Sequence, residues 1–293
     1  MRIFRITYTM TAPVSHIGQV ASVGAYFNTV RTASGEIPVI TGNSVRGILR
    51  DKAADRLLNA YGQRVSKEVF NVLYSGGNIS GAAKNDVARA RAVREAFPAV
   101  SLFGAGLGTM MMAGMLQCGF LYPVCMETED ITGIKSFVSW HDLMDDIEFT
   151  RMDDTKDDTR LHHIEDIEAS SNAKASTQMR FNVQYMAPGT QFVQDIVLLD
   201  GITDMEEGCL YAAISDWFAN PVLGGMSSKG FGRFNAESED CMVRDGVVTM
   251  SGRAQELTRE YTESLIPLTI AANIYLLAAG KEAKGGKKAN GAD

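Results

Sequence analysis

The chain opens on an alternation of large apolar with polar or basic side chains. Residues 2–10 read Arg-Ile-Phe-Arg-Ile-Thr-Tyr-Thr-Met, and a period of two predicts a strand with one buried face. Residues 12–36 are rich in Gly, Ser, Thr and Asn and carry no clear period. They predict a long loop of the kind compact domains keep for function. Ile37-Pro38-Val39-Ile40 predicts extended backbone, because proline biases the residue before it away from helix. Gly42-Asn43-Ser44 then offers capping chemistry. Val45, Ile48, Leu49, Leu57 and Leu58 recur at helical spacing and predict a helix from about residue 43 to about residue 60.

Further along, residues 75–84 predict a loop and 85–97 a helix, with Arg89, Arg91 and Arg94 adding basic charge. The Gly- and Met-rich stretch 101–125 is expected to end in a strand near 115–124. Residues 142–176 are polar, very acidic and weakly periodic, and predict an exposed insertion. Strand patterns at 178–186 and 190–199 flank the turn Ala187-Pro188-Gly189. A helix at 204–219, a glycine-rich loop at 224–232, a strand at 233–236 and a helix at 252–264 complete the pattern. The small, Lys-rich tail from Gly280 is expected to be mobile. βα units followed by hairpin signals and another helix predict an α+β fold of the ferredoxin-like type with insertions, not a doubly wound sheet.

Composition narrows the class. The 293 residues are 45% hydrophobic and 22% charged, which is globular and too apolar for a disordered chain. The longest apolar run, 265–279, is too short for a membrane-spanning helix, and the N-terminus has no signal-peptide pattern. Cys118, Cys125, Cys209 and Cys241 match neither a paired C-x-x-C zinc pattern nor a dense disulfide framework. They read as free thiols in a reducing cytoplasm. The net charge of −7 is unevenly spread: residues 1–100 carry +7, residues 101–200 carry −10, and residues 201–293 carry −4. A basic first third is expected to offer a phosphate-binding surface.

Two segments carry chemistry. In Pro38-Val39-Ile40-Thr41-Gly42-Asn43-Ser44-Val45-Arg46-Gly47-Ile48-Leu49-Arg50, a helix starting at Asn43 or Ser44 presents free N–H groups and a positive dipole end. Arg46 and Arg50, four apart, share a helix face. The plain alternative is a capped amphipathic helix with solvated arginines. In residues 223–234, Leu-Gly-Gly-Met-Ser-Ser-Lys-Gly-Phe-Gly-Arg-Phe, the glycines permit close backbone approach and an anion-binding nest. Lys229 and Arg233 add charge, and Phe231 stacks or packs. The Walker pattern is absent, and a glycine-rich hairpin is the alternative.

Together these segments resemble the CRISPR RAMP (repeat-associated mysterious protein) superfamily. Residues 37–50 are similar to its I-P-x-I-P-G-S-S-[LIV]-[KR]-G-x-[LI]-R element, with Thr41 for Pro and Asn43 for Ser. Gly224 to Arg233 match its G-x-x-[ST]-x-G-[FY]-G-[RK] loop. Ser101-Leu102-Phe103-Gly104 and Ala187-Pro188-Gly189-Thr190-Gln191-Phe192 match two further elements in the same order. The long Gly-bearing loop after strand one and the polar insertion resemble the backbone subunit, the seventh CRISPR-associated family, which polymerises along guide RNA in multi-subunit effectors.

The resemblance implies one RRM-like, ferredoxin-like palm over 1–279, with a finger insertion near 62–114, a thumb near 140–182 and a tail at 280–293. It implies RNA contacts at His16, Gly18, Gly42, Asn43, Ser44, Arg46, Arg50, Ser227, Ser228, Lys229, Gly230, Phe231, Gly232 and Arg233. It also implies a thumb hairpin within 148–181 that wedges between guide bases, with Arg151, Met152, Met179 and Arg180 as candidates. The implied partners are the CRISPR guide RNA, a target DNA or RNA paired to it, copies of the chain and other effector subunits. No membrane, cofactor or metal is implied, and the setting is cytoplasmic. RNA-cutting type III relatives carry an Asp in the loop before the P-x-I-P-G element. Residues 11–35 contain no Asp or Glu, and the first acid is Glu36, so a non-catalytic subunit is expected. Ala25-Tyr26-Phe27-Asn28-Thr29 in that loop leans toward a type IV or other DNA-targeting effector.

Two rival constellations stand beside this reading. His162-His163 with Asp153, Asp154, Asp157, Asp158, Glu165 and Asp166 suits a metal-dependent hydrolase. The acids show no ligand spacing and read as a solvated face. His16 suits the general base of a RAMP-type metal-independent processing endonuclease, but one histidine without a matched partner reads better as a hydrogen-bonded or RNA-touching residue. Gly104-Ala105-Gly106-Leu107-Gly108 fails the dinucleotide register, and Met110, Met111, Met112 and Met115 read as core or subunit contact.

Overall fold

The computed structural model describes residues 1–21, 24–79, 86–151 and 179–278. The first part of the chain forms β1 (Arg2–Met10), β2 (Ile17–Ala21), β3 (Gly24–Phe27), β4 (Thr29–Thr32), β5 (Gly35–Pro38), α1 (Gly42–Tyr61) and α2 (Lys67–Ser75). It continues through β6 (Gly77–Ile79), α3 (Val87–Ala96), α4 (Pro98–Phe103), β7 (Ala105–Gly108), β8 (Met110–Met112), β9 (Leu116–Cys118) and β10 (Tyr122–Pro123). Next come α5 (Glu129–Thr132), α6 (Trp140–Leu143), β11 (Met144–Arg151), β12 (Met179–Met186), β13 (Gln191–Leu198) and α7 (Asp204–Phe218). The last elements are β14 (Phe234–Ser238), β15 (Cys241–Arg244), β16 (Val247–Met250), α8 (Gly252–Ser264) and α9 (Pro267–Asn273).

The alternation at the N-terminus does what its period predicts. Phe4, Ile6, Tyr8 and Met10 are buried, while Ile3, Arg5, Thr7 and Thr9 face the other side of the sheet. α1 lays Val45, Leu49 and Ala53 over that apolar face, and α7 adds Leu210, Ile214 and Trp217. Tyr8, Trp217 and Phe234 meet edge-on or tilted, with ring centroids 5.2–5.9 Å apart. Each such side chain contributes roughly 1.5–3 kcal/mol by leaving water. Two short strands, β9 and β10, share the edge of β13, and between them the Gly119 N–H donates to the Asp195 carbonyl at 2.9 Å.

The sheet runs β10-β13-β1-β14-β15-β16, every neighbouring pair antiparallel, with β9 on β13 beside β10. The path β1–α1–β9/β10–β13–α7–β14, with β1 between β13 and β14, is the βαββαβ order of a ferredoxin-like palm. β15, β16 and α8 extend it. A second cluster, formed by Leu57, Val72, Val93, Phe97, Leu107 and their neighbours, builds a helical satellite from α2–α4 and β6–β8. Ile270 and Leu277, far along the chain, close it.

Three expectations are corrected. Residues 12–36 are not a loop: they form β2–β5, with β4 and β5 paired, and β2 and β3 in a four-stranded sheet with β11 and β12. These strands are short and their partners lie far along the chain, so no local period marks them. The turn at 187–189 does not close a hairpin between its flanking strands: β12 pairs β11 and β3, whereas β13 pairs β1. α1 meets its expected bounds, with Thr41 as its N-cap and an αL Gly62 at its end. Residues 101–125 hold α4 and four short strands in place of one longer strand. The hairpin of β15 and β16 carries no expectation from the sequence.

Candidate nucleic-acid interface

Six residues after β1 tie the two chemistry-bearing segments together. The Thr11 and Ala12 N–H groups donate to the Arg233 carbonyl at 2.8 and 3.2 Å. The Pro13 carbonyl accepts from Gly232 at 2.7 Å, and the Ser15 carbonyl accepts from Gly225 at 2.8 Å. The next residue, His16, meets the start of α1: its Nε2 accepts from the Thr41 N–H at 3.2 Å and lies 3.2 Å from the Thr41 hydroxyl. Consecutive residues 15 and 16 therefore touch the glycine-rich loop and the first turn of α1, which brings the two segments to one place.

The loop's glycines have separate reasons. A Cβ on Gly224 would sit 2.4 Å from the Ser15 carbonyl, and one on Gly232 would sit 2.1 Å from the Leu223 carbonyl. Both are required by close backbone contact. Between them, Ser227, Ser228, Lys229 and Gly230 are exposed, and so is Arg233. Phe231 is 5% exposed and packs near Phe149 and Tyr185, with centroids 6.1 Å from each. Of the two roles open to it in the sequence, packing is the one the fold uses. The Lys229 ammonium lies 4.0 Å from the centre of the Phe149 ring, a cation–π contact that stations the charge at the loop's surface. A Cβ on Gly18 would meet the side chain of Asn28 at 2.6 Å, so that glycine also serves packing.

The first turn of α1 has neither a side-chain cap nor an acidic residue. The Thr41 hydroxyl that would cap it is turned to His16. Asn43 is exposed and Ser44 partly so. Arg46 and Arg50 share the predicted face, but both donate to the Phe103 carbonyl, Arg50 at 2.7 Å, and Arg50 also reaches the Gly104 carbonyl at 3.1 Å. They clamp the end of α4, the Ser101-Leu102-Phe103-Gly104 element. Burial and then the charge of Arg46 push the Arg50 guanidinium down. Neither arginine has a carboxylate partner within salt-bridge distance among the described residues.

The basic first third is largely consumed in this way. Arg2 binds Glu207 and Asp240, Arg5 binds Asp195, Arg56 binds Asp216, Arg94 binds Glu206, and Arg89 donates to the Leu276 and Ala278 carbonyls. The net charge of that third therefore overstates the positive charge left unpaired at the surface. The sequence reading missed Thr41 and Ser15. The signal was present for Thr41, a capping-type residue directly before Gly42-Asn43-Ser44; Ser15 acts through its backbone and leaves no mark.

Burial pushes the His16 imidazole below its ordinary 6.5. With Nε2 accepting, the neutral ring carries its proton on Nδ1. The folded state disfavours the protonated form, so the stabilisation is complete above the unfolded value and is lost as pH falls through the lower folded value. Thermal melts across pH 7 to 5 are expected to fall more steeply for the native protein than for His16→Gln, which also loses about 1 kcal/mol at neutral pH. Parallel slopes would refute the assignment.

β11 and β12 pair over eight residues, from Met144↔Met186 to Arg151↔Met179. They form the base of a hairpin whose continuation, with Met152, His162 and His163, lies outside the described residues, as do residues 280–293. The backbone register places Arg151 opposite Met179 and Thr150 opposite Arg180. No described helix is long and apolar enough to cross a membrane. The four cysteines are free; Cys118 is half-buried and the others are buried.

No curated protein matches the chain. A chain of the solved structure described as "Type IV-B CRISPR Complex" superposes with a TM-score of 0.60 at 17% identity, over 84% of this chain and 94% of that one. At that identity the likeness speaks to the fold, and it agrees with the βαββαβ order traced above. The family model described as RAMP superfamily matches residues 7–235, a span that contains the end of β1, the strap at residues 11–16, α1 and the glycine-rich loop. The chain belongs to the RAMP superfamily.

Proposed function

We propose that the chain is a non-catalytic backbone subunit of a type IV-like CRISPR effector. It holds the guide RNA along the groove between α1 and the glycine-rich loop, and copies of it line the guide. The observation that carries this is the strap at residues 11–16, which sets an uncapped helix N-terminus beside an exposed Ser-Ser-Lys-Gly turn. Arg233 adds an exposed guanidinium with no hydrogen bond or ion pair among the described residues. Gly47 supports the same direction. It sits mid-helix at a cost of about 1 kcal/mol relative to alanine, and nothing lies within 4 Å of where its Cβ would point. The fold does not need it, and a strand of RNA lying on α1 does.

Such contacts reach phosphates and read no bases, as suits a variable guide. The Nε2 of His16, committed to Thr41, favours the structural role over a processing nuclease. Binding of a labelled single-stranded RNA is expected to weaken linearly in log salt. Lys229→Ala with Arg233→Ala is expected to reduce the slope by about 1.4, or ~0.7 per lost phosphate contact. The RNA is expected to remain uncut. An unchanged slope, or specific cleavage, would overturn the proposal.

A further inference from the structure

On the face of β11–β12 opposite Phe231, a cavity of about 450 Å³, lined also by Gly18, opens between the β2–β3 hairpin, the β4–β5 hairpin and the base of β11–β12. Its walls include Tyr26, Phe27, Glu36, Trp140, Met144 and Gln184. Gln184 is spent, accepting the Phe27 N–H at 3.0 Å. Three groups are not. The Tyr26 ring is 50% exposed. The Trp140 indole N–H and the Glu36 carboxylate have no hydrogen bond among the described residues; the Trp140 ring stacks on His141, centroids 3.6 Å apart, which leaves its other face for a ligand. Arg31 lies cross-strand from Glu36 in the β4–β5 register, yet no salt bridge joins them.

Two aromatic faces with one carboxylate suit a flat cation, because the ring quadrupoles and the anion attract the same charge. The surroundings sharpen the choice. Asp142 on α6, and Asp146 and Glu148 on the face of β11 shared with Met144, are exposed, and they repel a phosphate chain. The segment that leads into Trp140 is also apolar at its surface: Phe137 is 83% exposed, with Met126, Ile131 and Val138 each 40–50% exposed. It is held as one piece, since Met126 N–H donates to the Val138 carbonyl at 2.9 Å and Glu127 accepts from Ser139 and from Trp140 N–H. An apolar rim around a socket for one charged anchor is the anatomy of a protein interface.

We infer that this socket receives an arginine side chain from a different protein chain, whose flanking apolar residues cover Met126, Ile131, Phe137 and Val138. The occupant is committed by charge: the socket and its mouth are acidic, so a guanidinium enters and an RNA phosphate does not. The inference does not rest on the RNA reading.

The test uses the full chain without RNA and the peptide acetyl-Leu-Arg-Leu-amide. The protein has two tryptophans, and Trp217 is 1% exposed and already bonded to the Val222 carbonyl, so a ligand-dependent emission change reports Trp140. A saturable change is expected with the Arg peptide, absent in Trp140→Phe and weakened at least about tenfold in Glu36→Gln. Tyr26→Ala, at an exposed position, is expected to weaken it as well. The peptide with Glu in place of Arg is expected to give none. No saturable response, an equal response to guanosine monophosphate, or unchanged affinity in both Glu36→Gln and Tyr26→Ala would overturn the inference. Self-association of the chain that is lost in Glu36→Lys would also overturn it, by making the occupant a second copy.

Discussion

Replacing Arg94 by Met is expected to destabilise the protein by about 3–5 kcal/mol, because it strands a carboxylate in the core. Glu206 is fully buried at the start of α7. Arg94, from α3, grips it with two hydrogen bonds of 2.9 and 2.7 Å, Ser101 donates its hydroxyl, and Thr203 donates its backbone N–H at 2.8 Å and its hydroxyl at 3.0 Å. Burial alone would raise the Glu206 carboxyl, but the bonds from Arg94, Ser101 and Thr203 outweigh it and hold the group below its ordinary value. The sign follows. This contribution is present above the unfolded carboxylate value and is lost as pH falls through the lower folded one. The cost of Arg94→Met in urea titrations is therefore expected to be large at pH 7 and to shrink toward pH 3. The double variant Arg94→Met with Glu206→Gln is expected to recover much of the loss, since no buried charge remains. A neutral-pH cost below about 1 kcal/mol would show the carboxylate to be solvated after all.

That network also shows where the sequence speaks and where it is silent. Arg94 reads as one more cation in a basic third, and its true partner lies 112 residues away. Pattern reasoning sees spacing within a segment, so it finds β1 from its alternation, α1 from its apolar spacing, and the helix at 204–219, which the structure starts with a capping box of Thr203 and Glu206. It does not see pairing between segments. β2 to β5 are strands because β12 and one another complete their hydrogen bonds, and their short, polar, glycine-bearing sequences carry no period of their own. For the candidate interface, the two motifs were legible and the resemblance implied one shared surface, but the means by which they meet was not legible. Their meeting depends on backbone carbonyls of Pro13 and Ser15, which any sequence supplies. The charge on Arg46 and Arg50 was legible; that the Phe103 carbonyl takes one donor from each was not.

Two glycines of α1 separate what the fold requires from what it leaves for a ligand. A Cβ on Gly42 would lie 2.0 Å from the Cys118 carbonyl oxygen and 2.5 Å from that of Gly119. Those oxygens belong to the corner between β9 and β10, which cannot yield because Gly119 is itself bonded to Asp195 on β13. Leu121 holds the other side, exchanging hydrogen bonds with Ile40. Gly42→Ala must therefore drive α1 off the sheet edge, and the cost is expected at the top of the overpacking range, about 3 kcal/mol or more. Five residues on, Gly47 meets nothing within 4 Å, and Gly47→Ala is expected to stabilise the helix by about 0.5–1 kcal/mol. Paired urea titrations read both signs. Equal, small effects would mean that the first turn of α1 is free to move off β9, and the strap through His16 and Thr41 would then hold no fixed groove. A stabilised Gly47→Ala that nonetheless binds RNA less tightly would locate the ligand on the face of α1 that the fold leaves open.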